Sequence, residues 1–473
     1  MNVRYKKLLS NTAIFSMSQF ASKFLSFLLI PIYTKFLTTA DYGTADLVQT
    51  TVTLLITVLS LYINSSVLRF IVEDKENLYG TVTFAAVILL TSIILVAFSL
   101  PLLNLLDELS NLKFVFLLTY IVYVFDPFLD NIAKGINRIK VIGITSVIKT
   151  ILALSFNLLF IVKFKFGVQG YLYAYVLGIG CVNIIKFVGL KVWRFIHIST
   201  VNKDLIKKML KYSLPLVLVN IGWWLNNSIN KYIITFFLSA TQLGLYTAAS
   251  KFPSILAVFQ TMTGEALNLS IFEEYKKVGA DNYYSILYNF YNFFIVLLSS
   301  LLISFSKLIS SILFSNDFVA AWSYAPLLVY GSVFSIITGF IGSFFSAAMK
   351  NSILCITTLI GALFSVVANL MLVPRIGIYG TAITFVISNV IIWVVRFAFV
   401  RRMFALRVKV ARDIVAYMVL LVQTIFVMKV FYIVQTSLIC LFVYLVLYEQ
   451  EIKLLLSAVI RSCKKIGGKY DFQ

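Results

Sequence analysis

FLTTADYG at residues 36–43 and FLSATQLG at residues 237–244 are one phrase written twice, 201 residues apart. Each is a short turn between two long apolar runs. A second pair of marks repeats the shift. Gly167 and Gly170 in KFGVQGYLYA correspond to Gly377 and Gly380 in RIGIYGTAIT, 210 residues on. Asn157 in NLLF and Asn369 in NLML precede the two glycine pairs. Independent marks that recur in the same order at similar offsets are the signature of an internal duplication. Six apolar runs lie within each copy, and because six is even, both copies enter the membrane in the same direction, as parallel repeats about the membrane normal.

The runs themselves fix the class. Of 473 residues, 60% are hydrophobic and only 12% charged, with a mean hydropathy of +0.95. Soluble domains carry about a quarter charged residues, so the chain is read as a membrane protein. A helix needs about 20 residues to cross the hydrocarbon. Fourteen such spans are expected, at 11–33, 44–68, 79–103, 113–133, 141–162, 170–190, 212–238, 243–268, 284–306, 322–346, 352–373, 378–400, 414–432 and 434–448. The last two form one continuous apolar run in which only Lys429 and Gln435 mark a hairpin. The alternating pattern of a membrane barrel is absent, so helices must satisfy the backbone. The expected fold is an all-α polytopic membrane protein with about 14 transmembrane helices, in two pseudo-symmetric six-helix lobes plus two C-terminal helices. The expected divisions are 1–205, 206–410 and 411–473, the last two helices being an appendage.

The net charge of +21 invites a nucleic-acid reading, but its distribution argues against one. With a cytoplasmic amino terminus, 29 of 40 basic residues fall in or beside cytoplasmic loops and 7 on the outer side. This is the positive-inside bias. The clusters Lys191, Arg194, Lys203, Lys207, Lys208, Lys211 and Arg401, Arg402, Arg407, Lys409, Arg412 read as topology signals and contacts to anionic membrane lipids. Fourteen spans also return the basic carboxyl tail to the cytoplasm. The first span is too long, and too interrupted by Gln19 and Lys23, for a cleavable leader. Cys181, Cys355, Cys440 and Cys463 are too scattered for a disulfide framework or metal site. His197, the single histidine, reads as ordinary surface. No loop exceeds about 20 residues, so no extramembrane catalytic domain, enzymatic activity or cofactor is expected.

Charges inside the spans are the informative residues. Lys23, Lys149, Lys231 and Lys251 fall within them, and a lysine at a helix centre costs about 2.5–3.5 kcal/mol unless it faces a cavity or a partner. Polar residues recur beside them at helical spacing. Gln19, Lys23 and Ser26 mark the first span, Asp46, Gln49, Thr53 and Thr57 the second, Asn220, Trp224, Asn227 and Lys231 the seventh, and Thr247, Lys251, Ser254, Thr261 and Glu265 the eighth. In a duplicated architecture these stripes line a cleft between the lobes. Several lysines and few acids attract an anion. Lys23, Lys251, Lys231, Lys149, Gln19 and Asn227 are therefore the candidate substrate-binding residues, with Glu265 and Asp46 candidates for coupling or gating. The alternative is that the hydroxyls and amides are interhelical glue and that lysines near span ends, Lys231 and Lys149 among them, reach toward water. Asp126 and Asp130, one turn apart with Lys134 a turn further, read as a structural pair.

These residues resemble a known family. The stretch from KLLSNTAIF to TADYGTADL at 7–47, KYSLPLVL at 211–218, NKYIITFFLSATQLGLYTAASKF at 230–252 and the glycine-pair connectors are similar to the bacterial polysaccharide and O-antigen flippases. These belong to the superfamily of multidrug, oligosaccharidyl-lipid and polysaccharide exporters. The resemblance implies a protein of the bacterial cytoplasmic membrane, both termini cytoplasmic, that moves an undecaprenyl-pyrophosphate-linked oligosaccharide from the inner to the outer leaflet. Proton, sodium or membrane potential would drive the step, with a polysaccharide polymerase and glycosyltransferases as partners. Relatives have basic cavity residues in the first and eighth helices, where Lys23 and Lys251 stand. Many carry an Asp followed by a basic residue late in the seventh helix, where this chain has Asn230 and Lys231. A cation-coupled multidrug antiporter and a peptidoglycan-precursor flippase are the alternatives. A membrane glycosyltransferase or polymerase would show a long outer loop bearing catalytic Arg or Asp residues.

Overall fold

A computed structural model describes residues 27–73, 77–105, 107–274, 280–348, 350–404, 408–429 and 433–454, the side chains of 262, 264–270, 272–274, 280–282, 351, 404, 433 and 434 excepted. Every apolar run is helical where described, and no strand occurs among these residues. The first span is represented by Ile30–Phe36 and the second by Thr39–Leu59 and Ile63–Glu73. The third to sixth are Leu78–Ser99, Lys113–Gly135, Ile139–Asn157 and Gly167–Gly189, and the seventh is Lys203–Phe237. The eighth is Ala240–Ala249 and Lys251–Glu274. Ala280–Ser304, Ala325–Ala347, Asn351–Ile376, Ile378–Phe404, Val410–Met428 and Ile433–Leu447 complete the set. Among the described residues, ten helices are long and apolar enough to cross a membrane on their own composition. The continuous run after residue 410 is two helices, and Lys429 caps the first of them.

Two spans expected to be continuous are broken. In the eighth, Ser250 separates the two helices. Pro253 has no N–H to offer the Ala249 carbonyl, and its ring crowds that carbonyl. In the second, Leu61 and Tyr62 have φ of 52° and 49°. Left-handed backbone costs a residue with a side chain about 1–3 kcal/mol, and neither Gly nor Pro announces this break in the sequence.

The repeated phrase has a physical reason. Thr38 caps the Thr39–Leu59 helix by accepting the Asp41 N–H at 3.0 Å, while Asp41 accepts the Thr38 N–H at 3.2 Å. Ser239 accepts the Gln242 N–H at 3.3 Å at the start of Ala240–Ala249. Both copies thus begin a helix with a hydroxyl cap and a polar residue three positions on. One turn later comes the glycine. A Cβ on Gly43 would lie 2.2 Å from the Ala240 carbonyl oxygen, and one on Gly244 would lie 1.8 Å from that of Thr39. Thr39 and Ala240 are themselves repeat equivalents, so the two close approaches are mirror statements of one symmetric crossing. The second mark is also structural: Gly167 and Gly377 both adopt positive φ, at 55° and 62°, at the start of a helix.

Backbone packing groups the chain into two compact units, residues 1–248 with 312–319 and 369–377, and residues 249–311 with 320–368 and 378–473. This division falls later than the repeat boundary at 205–206, because the Lys203–Phe237 helix packs along the second span. Trp224 Nε1 donates to the Thr50 carbonyl at 3.1 Å, and the Thr51 and Tyr232 hydroxyls meet at 2.6 Å.

In the second unit, Ala325–Ala347 packs along Ile378–Phe404, and the last two helices pack against Ala280–Ser304. Gln423 accepts from the Ser300 hydroxyl at 2.9 Å and donates to Ser304 Oγ at 2.8 Å. Tyr417 donates to Asn292 Oδ1 at 2.8 Å, and Asn292 Nδ2 donates to the Tyr448 hydroxyl at 3.2 Å. The thirteenth and fourteenth spans are therefore built into this unit by buried hydrogen bonds, which an apolar run cannot advertise.

Gly244→Val should be the test of the crossing. Overpacking costs about 1–3 kcal/mol or more, so the thermal midpoint in detergent should fall clearly, whereas Gly189→Ala, with nothing within 4 Å of its Cβ, should leave it unchanged. Equal midpoints for both variants would contradict the close approach.

Candidate functional site

Asp46 lies one helical turn inward from Gly43, and its carboxylate is the hub of a cluster in the first unit. Lys231 Nζ sits 2.8 Å from Oδ2 and donates to Oδ1 at 3.0 Å. The same ammonium donates to Thr50 Oγ1 at 3.1 Å. The Thr247 hydroxyl donates to Asp46 Oδ2 at 2.9 Å. Thr247 is the repeat equivalent of Asp46, so equivalent positions of the two copies meet directly. The Lys231 and Asp46 side chains are 20% and 18% exposed. Pairing at this burial offsets part of the cost of placing either charge within a span. Beside them Asn230 donates to the Tyr246 hydroxyl at 2.6 Å. The second span supplies the carboxylate for Lys231.

A second charge cluster joins the fourth, fifth and sixth spans. Lys149 lies 2.7 Å from Asp126, and Lys186 lies 2.7 Å from Asp126 and 2.6 Å from Asp130. Where one helix was expected to hold the whole set, the two aspartates pair with lysines of the fifth and sixth spans. Lys186 is 3% exposed. It escaped the sequence reading because it stands one turn from the end of its span and counted there with the cytoplasmic loop. Two carboxylates a turn apart on one face were the available signal, since they demand two cations from neighbouring helices.

Arg396 was also missed. In the second unit its guanidinium donates to Thr357 Oγ1 at 2.9 Å, Thr358 Oγ1 at 2.7 Å and the carbonyls of Thr338 and Leu354 at 3.1 and 3.3 Å. All these partners are neutral. Arg396 follows Lys186 by 210 residues, the offset of the glycine pairs.

The remaining candidates lie on the seventh and eighth spans or outside the described residues. Lys251 is the first residue of the Lys251–Glu274 helix and is half-buried, with its carbonyl accepting from the Ser254 hydroxyl at 2.5 Å. Asn227 is directed back onto its own helix, donating to the Trp223 carbonyl at 2.8 Å. Glu265 lies on the same helix as Lys251, its side chain outside the described residues, as are Lys23 and Gln19 altogether. The structure therefore brings Lys231 to Asp46, and Lys149 to Asp126, as ion pairs.

A family model described as polysaccharide biosynthesis protein matches residues 8–267. No curated protein matches the sequence. Among solved structures, the lipid II flippase MurJ in an inward closed conformation superposes with a TM-score of 0.72 at 16% identity, covering 94% of this chain and 100% of that one. An inward-facing multidrug resistance MATE family transporter of the MOP superfamily gives 0.68 at 18% identity, over 81% of this chain and 94% of that one. A MOP superfamily transporter from Pyrococcus furiosus gives 0.59 at 18% identity, over 84% and 96%. With its family match running over more than half its length, the chain belongs to the polysaccharide biosynthesis protein family, as a multi-pass membrane protein with the fold of the MOP superfamily.

Proposed function

We propose that this protein is a flippase that carries an undecaprenyl-pyrophosphate-linked oligosaccharide from the inner to the outer leaflet of the bacterial cytoplasmic membrane by alternating access. The observation that carries the reading is the crossing of the two copies at Gly43 and Gly244, with Asp46 held by Lys231 and Thr247 one turn inside it. The distribution of lysine and arginine puts that crossing on the outer side. A transporter that alternates must close one end of its pathway while the other is open, and a glycine crossing latched by an ion pair suits a closure that forms and breaks. Lys23 and Lys251 are the residues proposed to hold the pyrophosphate, with Glu265 as the coupling group for proton, sodium or membrane potential. An extruder of cationic drugs would want an uncompensated carboxylate. Asp46, Asp126 and Asp130 are instead on lysines.

Lys23→Ala and Lys251→Ala should each abolish surface polysaccharide while protein level and membrane insertion persist. Normal export in both variants would sink the anion pathway. The latch makes a separate prediction. Lys231→Ala strands the Asp46 carboxylate, at a cost on the order of 1.4 kcal/mol or tenfold in transport. The charge-swapped Asp46→Lys/Lys231→Asp protein should recover part of that loss, and a double variant no better than the worse single would argue against the pair.

A further inference from the structure

The first unit contains half-exposed polar side chains that the latch does not use. Lys149 and Asp126 are 36% and 17% exposed, and Gln49, Tyr123 and Tyr175 are of intermediate burial. At 3.6 residues per turn, Lys149 lies about 140° from Ile144 and about 160° from Val147 and Ile151, the exposed large apolar residues of its helix. Tyr175 lies about 160° from exposed Leu177 and about 180° from exposed Ile184, and Gln49 about 180° from exposed Val58, by the same geometry. Exposed apolar faces meet lipid, so the polar residues open toward the protein's interior.

Around Asp126 both ammoniums, Lys149 and Lys186, are already engaged by carboxylates. A pyrophosphate would have to compete with Asp126 and Asp130 for them. The face offers instead a carboxylate and an ammonium joined at 2.7 Å, the Gln49 amide, and the tyrosine rings. The Tyr171 ring packs on that of Tyr175 at 4.9 Å, and Gln49 Nε2 donates to the Tyr171 hydroxyl at 3.4 Å, so the strip is fixed from behind. Tyr123 stands one turn before Asp126 on the fourth span. Planar acceptors and donors suit neighbouring hydroxyls, and aromatic faces suit the C–H faces of pyranose rings.

We infer that Gln49, Tyr123, Asp126, Lys149 and Tyr175 form a carbohydrate subsite that takes the sugar rings of the substrate and leaves its pyrophosphate to other cations. The inference rests on the flippase reading for its substrate class, and it moves Lys149 from the anion-binding set to the sugar-binding set. Lys186, buried beneath, is a positioning residue that holds Asp126 in place.

The test uses the full chain in lipid nanodiscs with two probes, the lipid-free repeat-unit oligosaccharide released from the host's own surface polysaccharide and inorganic pyrophosphate, read by calorimetry or saturation-transfer NMR. Lys149→Gln leaves Asp126 on Lys186, and Tyr175→Leu removes a ring while Tyr175→Phe keeps it. Lys149→Gln and Tyr175→Leu should each weaken oligosaccharide binding at least tenfold with pyrophosphate binding unchanged, and Tyr175→Phe should retain most of the affinity. Unchanged oligosaccharide binding in both variants overturns the subsite and leaves the flippase reading standing. Parallel loss of pyrophosphate binding overturns the division of labour. Wild-type protein that takes up no oligosaccharide overturns the subsite and the flippase reading together.

Discussion

In the first unit two backbones cross with nothing between them. At Gly43 and Gly244 each helix presents bare main chain to the first turn of the other, and any side chain would collide with a carbonyl. Much else follows from that constraint. The helices must begin at a defined residue, hence the hydroxyl caps at Thr38 and Ser239. They must also cross symmetrically, hence the meeting of Asp46 with its own repeat equivalent Thr247. Lys231 then completes the cluster from a helix that packs along the second span.

Lipid governs the remaining polar groups. A lone charge within a span is costly enough that each described ionic group of the first unit's interior has a partner on another helix. Such pairs are weak evidence of stability, since desolvation offsets much of their attraction. Their value is positional. Each specifies which helices are neighbours and at what height, information that interchangeable apolar surfaces of Leu, Ile and Phe do not carry. Gln423, Asn292 and Tyr417 do the same in the second unit without any net charge.

The spans and the duplication were legible because hydrophobic length and an eight-residue phrase survive in one dimension. The hairpin at Lys429 was legible for the same reason. What was hidden is relational. Lys231 and Lys149 could be read as charges that need a destination, but not that the destinations were Asp46 and Asp126, since pairing across helices has no fixed sequence spacing. Lys186 was hidden by its place near a span end, and the Leu61–Tyr62 break by the absence of any residue that favours left-handed backbone. The break at Ser250 was readable in principle, through Pro253, and it turns Lys251 from a mid-helix residue into the first of a helix.

Arg396 shows a second way to brace helices with a cation. Its counterpart Lys186 ties the sixth span to the fourth through two aspartates a turn apart. On the tenth span, Thr338 and Gly342 stand a turn apart. There Arg396 reaches the Thr338 carbonyl, and Gly342 lies close enough that a Cβ would touch the guanidinium at 3.7 Å. Arg396 is held by hydroxyls and carbonyls alone, where Lys186 is held by carboxylates. A cation can therefore join helices in either half, but only in the first does its hold depend on the charge of its partners.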